Sequence, residues 1–426
     1  MEILRVYLKK LSMMGEGHME TYKRMDSHRM AMINKQNVMR CISSHGPINR
    51  SAIAKMVGLS LPTVMDITDQ LMEHGMVVCE SRKQTGQGKR PELLSVCGEH
   101  YRFIGVDVGR TTIRIVLEGL DQKIIATVKY ATEDVQCERR FVERICAEIL
   151  DLVERSGVDA DSVVGVCVAM PGLIDRDTGS VIFSPNFGWE DIPLQAWMNE
   201  ILPYEVFVEN ANRVQASWEV FRNQENNNLT ILCIGLGYGI GGGLLQKGKL
   251  YYGASGTSGE IGHLPVCHDP AAKCSCGNIG CLEAVASGAA LAKQARELVL
   301  GGENTLLKDM CGGNIDKLEA KMVFEAAKQG DERAQQMIDQ TAEYIGIALA
   351  ASINMLDPDR IYLSGGMMKN GPEFLRKIKT CTLRRQMHNA GRGVLILPGD
   401  PDEWNVARGA ARVKPIYDWS KLQFMC

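Results

Sequence analysis

Two stretches limit what this chain can fold into. "FIGVDVGRTTIRIVLEGL" (103–120) and "LTILCIGLGYGIGGGLLQKGKLYYG" (229–253) each set two apolar runs on either side of a glycine-bearing turn. Apolar, β-branched runs of this length read as buried strands, and glycine gives the backbone freedom that a close turn needs. "KIIATVKY" and "VVGVCVAMPGLI" extend the first group, the latter entering a Pro-Gly turn. "ERRFVERICAEILDLVERSG" and "RAQQMIDQTAEYIGIALAASINMLD" carry the helical period, and the second leads into the short strand "RIYLSGG". Two strand-rich starts, each with a glycine turn, predict an α/β body of two lobes around a ligand cleft, over residues 99–426.

Residues 30–98 have a different register. Met30, Met32, Ile33, Val38, Met39 and Ile42 fit one apolar helix face, and "HGPI" breaks that helix. "NRSAIAKMVGLS" follows with Ile53, Ala54 and Val57 on one face, and Gly58 permits a tight turn. In "SLPTVMDITDQLMEHGMV", Ser60 is a good N-cap and Pro62 is tolerated in the first turn, while Val64, Ile67, Leu71 and Met72 supply a core face. "MVVCESRKQTGQGKRPELLSV" reads as two short strands around a basic loop containing Arg82, Lys83, Lys89 and Arg90. The succession predicts a winged helix-turn-helix. Its second helix would enter the DNA major groove, with Ser60, Pro62, Thr63 and Asp66 toward the bases. Lys89 and Arg90 of the wing would meet phosphates or the minor groove. A helical dimerisation module with an exposed basic hairpin is the other reading of the same pattern. Residues 1–29 show weak periodicity and many methionines, and stand as an N-terminal extension.

Charge divides along the same line. Residues 1–95 hold 14 Lys/Arg against 9 Asp/Glu, a balance of +5, which leaves -8 for the rest of a chain whose net charge is -3. A basic segment on an acidic body fits nucleic acid for the former and a small molecule for the latter, although ordinary variation in surface charge explains the count equally well. No run approaches the ~18 apolar residues of a membrane span, and the N-terminus lacks a signal-peptide h-region, so cytoplasmic residence is expected. The 14 cysteines are mostly dispersed, as reduced thiols are, except for Cys274, Cys276 and Cys281 within eight residues.

These features carry a family resemblance. From Met30 nearly to the C-terminus the chain resembles the ROK family of repressors and sugar kinases, above all the regulator branch, in which a winged helix precedes an actin-like, sugar-kinase-like body. The densest match is "GASGTSGEIGHLPV" (253–266) with "CSCGNIGCLEAVASG" (274–288). The resemblance implies a sugar between the lobes, held by Asn186 in "SPNFGWEDIPL", Asn210 in "VEN", Glu260 and His263 in "GEIGH", and Glu283 in "CLE". Two amides, two carboxylates and an imidazole suit hydroxyls that each need a donor or an acceptor. It also implies a structural Zn²⁺ on His263, Cys274, Cys276 and Cys281, with Cys267 and His268 as spare donors. Four protein ligands close a tetrahedral site to water. One nitrogen of His263 would serve the metal while the other side of the ring helps shape the pocket.

The same comparison removes the catalytic base. Family kinases carry V-E-N-D-A-N-A-A-A-L-G-E, whereas residues 208–219 read V-E-N-A-N-R-V-Q-A-S-W-E with no gap. The Asp that takes the proton from the sugar hydroxyl falls at Ala211. General-base help is worth about 10²–10⁴-fold, so phosphoryl transfer should be severely weakened. Glu209 shares the side of Ala211 at strand alternation, but the family keeps a Glu there beside its Asp. The first phosphate loop, D-x-G-G-T-K in the family, is here Asp107-Val108-Gly109-Arg110-Thr111-Thr112, so Arg110 stands where glycine lets backbone approach phosphate. "GLGYGIGGG" (235–243) and "SGG" (364–366) look intact. The expectation is a sugar-responsive transcriptional regulator that represses carbohydrate-utilisation genes. Its partners would be operator DNA and a sugar or sugar phosphate, and its assembly a homodimer or homotetramer. The alternative is an ATP-dependent sugar kinase of the hexokinase/glucokinase type with an added DNA-binding head.

Overall fold

The structure, a computed structural model, describes residues 27–80, 92–389, 391 and 393–417. Three helices open it: α1 (Ser27–His45), α2 (Arg50–Val57) and α3 (Leu61–Glu73). Gly58 ends α2 at φ 69°, the left-handed turn that its sequence position predicts. Ser60 caps α3 by accepting from Thr63 N at 3.3 Å, with Pro62 in the first turn. Val64, Ile67 and Leu71 of α3 bury against Ile53 of α2 and Val38, Met39 and Ile42 of α1. Two antiparallel strands, β1 (Val77–Glu80) and β2 (Leu93–Val96), form the stems of the wing. Arg50 clamps this head, donating to Thr68 Oγ1 at 2.8 Å, Asp69 at 2.6 Å and Glu92 at 2.6 Å. The predicted winged helix-turn-helix is present. Its basic loop, including Lys89 and Arg90, lies outside the described residues, as does most of the N-terminal extension.

The first lobe of the body begins with β3 (Arg102–Val108), β4 (Thr112–Gly119) and β5 (Ile124–Ala131), then runs through α4 (Glu138–Ser156) to β6 (Val163–Met170). A small sheet follows, made of β7 (Leu173–Ile174), β8 (Val181–Ser184) and β9 (Trp189–Ile192). The short α5 (Leu194–Asn199) brings the chain to β10 (Glu205–Asn210), and α6 (Ala211–Arg222) starts at the next residue. No turn separates β10 from α6, because Asn210 both ends the strand and caps the helix. The main sheet has the order β10-β6-β3-β4-β5, with β10, β6 and β3 parallel and β4 and β5 antiparallel. Phe141, Ile145, Ile149 and Leu152, spaced at helical period on α4, bury against Ile104, Val106 and Ile115.

The second lobe repeats that plan. The hairpin β11 (Thr230–Leu236) and β12 (Ile240–Gln246) continues to β13 (Lys249–Leu250) and a long loop. Helices α7 (Leu282–Ala286), α8 (Gly288–Leu300), α9 (Leu307–Met310), α10 (Ala320–Lys328) and α11 (Glu332–Leu356) precede β14 (Arg360–Ser364). Then come α12 (Pro372–Arg385) and β15 (Leu395–Pro398), completing a sheet of order β13-β12-β11-β14-β15. Here too an antiparallel glycine hairpin is extended by parallel strands. No described helix is long and apolar enough to cross a membrane.

The last helix, α13 (Asn405–Tyr417), joins the parts. It lies on β3 and α6, and its Ala407 and Ala411 enter one hydrophobic cluster with Phe103, Val116, Leu120 and the core of the head. Beside them Glu118 is 1% exposed and accepts from Arg408 Nε at 2.7 Å and from Arg412 Nε and Nη2 at 2.8 and 2.6 Å. Arg412 also donates to Gln122 O at 3.2 Å, and Gln122 Nε2 donates to Ser43 Oγ of α1 at 2.9 Å. Removing one partner from a buried ionic cluster strands the others in a low dielectric. Glu118→Ala is expected to lower unfolding free energy by about 3–5 kcal/mol, measured by urea denaturation.

Candidate functional site

The site is built from the edge where β10 stops. Parallel strands deliver their C-terminal residues to a cleft, and Asn210 pairs with Met170 at that edge. The Asn210 side chain is nearly saturated: Oδ1 accepts from Asn212 N (2.9 Å) and Arg213 N (3.2 Å), and Nδ2 donates to Gly172 O at 2.7 Å. One amide hydrogen remains for a ligand. Ala211 follows as the half-buried first residue of α6.

Glu209 is also committed. Oε1 accepts from Asn210 N at 2.7 Å and lies 3.5 Å from Arg213 Nη1, while Oε2 accepts from Tyr252 OH at 2.8 Å. Arg213 is buried, donates through Nη2 to Gly256 O, and stacks over the Tyr252 ring at 5.2 Å. Arg176 stacks over the same ring at 4.4 Å. Burial raises the Glu260 carboxyl above its ordinary value; Arg213 and His263 pull it back, and Glu283 adds to the rise. Those couplings gather Arg213, His263 and Glu283 around Glu260. Glu283 Oε2 accepts from Ile240 N at 2.8 Å, and a Cβ added to Gly239 would meet that oxygen at 2.5 Å and Asn186 Nδ2 at 3.5 Å. Asn186 therefore faces Glu283 across the second glycine turn.

Sequence reading missed Arg213, Tyr252, Arg176 and Asn212. Asn212 lies against the backbone of Gly235 and Gly241, coupling the start of α6 to the β11–β12 hairpin. The available signal was position: Asn212 and Arg213 fall in the first turn after a cap, where side chains project from the strand edge.

His263 ends a short turn of helix, and Cys281 caps α7, which carries Glu283 two residues on. His263 Nδ1 is 3.6 Å from Cys274 Sγ, and Cys276 Sγ is 3.7 Å from Cys281 Sγ. All four donors lie within 4.8 Å of one another, and Cys267 and His268 are not among them. Tetrahedral bonds of about 2.3 Å to sulfur and 2.0–2.1 Å to nitrogen set donors about 3.5–3.8 Å apart, so the set fits a metal ion.

The two glycine hairpins meet through side chains. The Arg110 guanidinium stands 5.8 Å from the Tyr238 ring centroid, one residue from each glycine hairpin. Asp107 lies 3.4 Å from Arg114, which also reaches Glu403 at 3.4 Å. Burial lifts the Asp107 carboxyl to about 6 from 3.8, against the opposing pull of Arg114. The folded state thus holds this proton more tightly than the unfolded chain, so stability is lost as pH rises from about 4 through 6. On the surface of the head, Ser60, Pro62, Thr63 and Asp66 are all exposed. Ser60 Oγ and Thr63 Oγ1 are hydrogen-bonded to each other at 2.8 Å, and Asp66 accepts from Gln70 Nε2 at 3.2 Å. In urea titrations, Asp107→Asn is expected to match the parent near pH 4 and to exceed it by about 2–3 kcal/mol at pH 7.

Known proteins match both parts. The MarR family matches residues 34–84, and the ROK family matches residues 103–413. The chain is 29% identical over 354 residues to a xylose repressor of Caldicellulosiruptor bescii, covering 82% of this chain and 87% of that one. A crystal structure of a ROK family transcriptional regulator, a homologue of the E. coli MLC protein, superposes with a TM-score of 0.75 at 25% identity, over 93% of this chain and 99% of that one. A ROK family glucokinase from Streptomyces griseus, solved with glucose and AMPPNP, superposes at 0.64 and 31% identity over 73% of this chain and 98% of its own. With its winged-helix head and two-lobed actin-like body, the chain belongs to the ROK family.

Proposed function

We propose that this protein is a sugar-responsive transcriptional repressor whose body binds a sugar without phosphorylating it. Residues 1–29 are an extension, 30–98 the DNA-binding head and 99–426 the sugar-binding body. One observation carries the reading: Ala211, with no titratable group, opens α6 where kinases of the family carry their Asp. Glu209 is no substitute, because Tyr252, Arg213 and a backbone amide already occupy its carboxylate. A proton acceptor must reach the hydroxyl that it activates. Asn186, Asn210, Glu260, His263 and Glu283 are the sugar ligands on this reading, with Arg213 placed beside Glu209 and Glu260. Occupancy changes the separation of the lobes, and heads that must match operator half-sites at fixed spacing lose affinity when that geometry shifts. Such binding requires a symmetric dimer or tetramer in the cytoplasm.

A structural zinc ion on His263, Cys274, Cys276 and Cys281 belongs to the same reading. It would tie the loop bearing Glu260 to the helix bearing Glu283, so that the sugar ligands stand at fixed distances.

The kinase alternative keeps some support from the glucokinase likeness and from the intact second glycine loop. Incubation with ATP and a sugar panel separates the two. Thermal shift is expected to register sugar binding while turnover stays at least about 10²-fold below the 1–100 per second of kinases; ordinary kinase rates would sink the regulator-only reading. Ala211→Asp, assayed alongside, is expected to raise whatever residual transfer exists. Metal analysis should find one zinc per chain, falling toward zero in Cys276→Ser together with melting temperature and sugar affinity.

A further inference from the structure

We infer that the exposed face of α3 reads thymine methyl groups and a cytosine amino group, and makes no bidentate Arg or Lys contact to guanine. This rests on the head binding DNA as proposed above. The helix reads LPTVMDITDQLME and holds no Lys, Arg, His or Asn. Val64, Ile67, Thr68 and Leu71 are buried within the head, which fixes the opposite face. That face presents Leu61 at 41% and Met65 at 46% exposure, one turn apart, flanked by exposed Pro62, Asp66 and Asp69.

Each residue narrows what the groove can offer. Arg or Lys to guanine O6 and N7 is the commonest specific contact in the major groove, and α3 has no such donor. Arg50 of the neighbouring α2 is turned into the head by Thr68, Asp69 and Glu92. Asp69 is thereby paired with Arg50, while the exposed Asp66 accepts from Gln70. A carboxylate near DNA is repelled by phosphates unless a base donates to it, and cytosine N4 is the donor that suits it. Large apolar side chains exposed on a DNA-facing helix match the thymine C5-methyl. Grip on the phosphates falls to cations elsewhere, such as the exposed Arg40 on α1 and Lys55 on α2.

The test uses the full-length protein and a random-sequence duplex library. Selection should enrich half-sites with thymines and a cytosine at fixed positions. In the selected duplex, replacing individual thymines by deoxyuridine is expected to weaken binding about fourfold per methyl removed. Leu61→Ala and Met65→Ala should each abolish that sensitivity at one thymine, and Asp66→Asn should move the preference at the cytosine toward adenine. These side chains are exposed, so melting temperatures should stay at the parent value. Loss of affinity with 7-deazaguanine, or uracil sensitivity unchanged by both apolar variants, would overturn the inference and leave DNA binding standing. Failure to enrich any sequence at any salt would overturn both.

Discussion

The body is organised around one amide. The side chain of Asn210 bonds the first two free backbone N–H groups of α6 that it can reach and the carbonyl of Gly172, which follows β6. Strand edge, Pro-Gly turn and helix start are thus locked to one another at the mouth of the cleft. Because helical phase is fixed from the cap onward, this bond also sets where Ala211, Asn212 and Arg213 point. Further along α6, Ala216 packs beneath Gly243 of the second lobe, and Trp218 donates to Asp400 at 2.6 Å while Arg408 and Arg412 stack on its ring. A helix anchored at one end by the ligand edge and at the other by α13 is the natural strut between lobes and head.

Local features of the fold were legible because local physics decides them. The buried positions of α4 recur at helical period, Gly58 takes the one conformation that its turn needs, and Ser60 caps as its side chain allows. The site was partly legible. A strand end followed by an amide announced the cleft edge, and the His/Cys spacing announced the cluster of four donors. What stayed hidden depends on distance in sequence. Tyr252 meets Glu209 across 43 residues, and Glu118 meets Arg412 across 294. No pattern within either segment records its partner. The Asp107–Arg114 pair was within reach, since the two are cross-strand neighbours in the β3–β4 hairpin register.

On the proposed reading, the conversion from kinase to sensor involved more than deleting a base. Removing a carboxylate from a polar cleft leaves room, and here a buried arginine sits two residues on, holding Glu209 and facing Glu260. Charge that a kinase would spend on its substrate proton is instead balanced within the protein. The two glycine hairpins show similar pairing: Arg114 lies 3.4 Å from Asp107, and Arg110 stacks over Tyr238.

The hydrophobic interior of the winged helix is closed from below by Phe103, Val116, Leu120, Ala407 and Ala411. The head consequently lacks a complete wall of its own, and the body is that wall. Module exchange among relatives would fail at this seam unless the underlying side chains travelled with the transplanted unit. Because this seam is packed side chain on side chain, a tilt of the first lobe would, on the proposed reading, carry α3 with it.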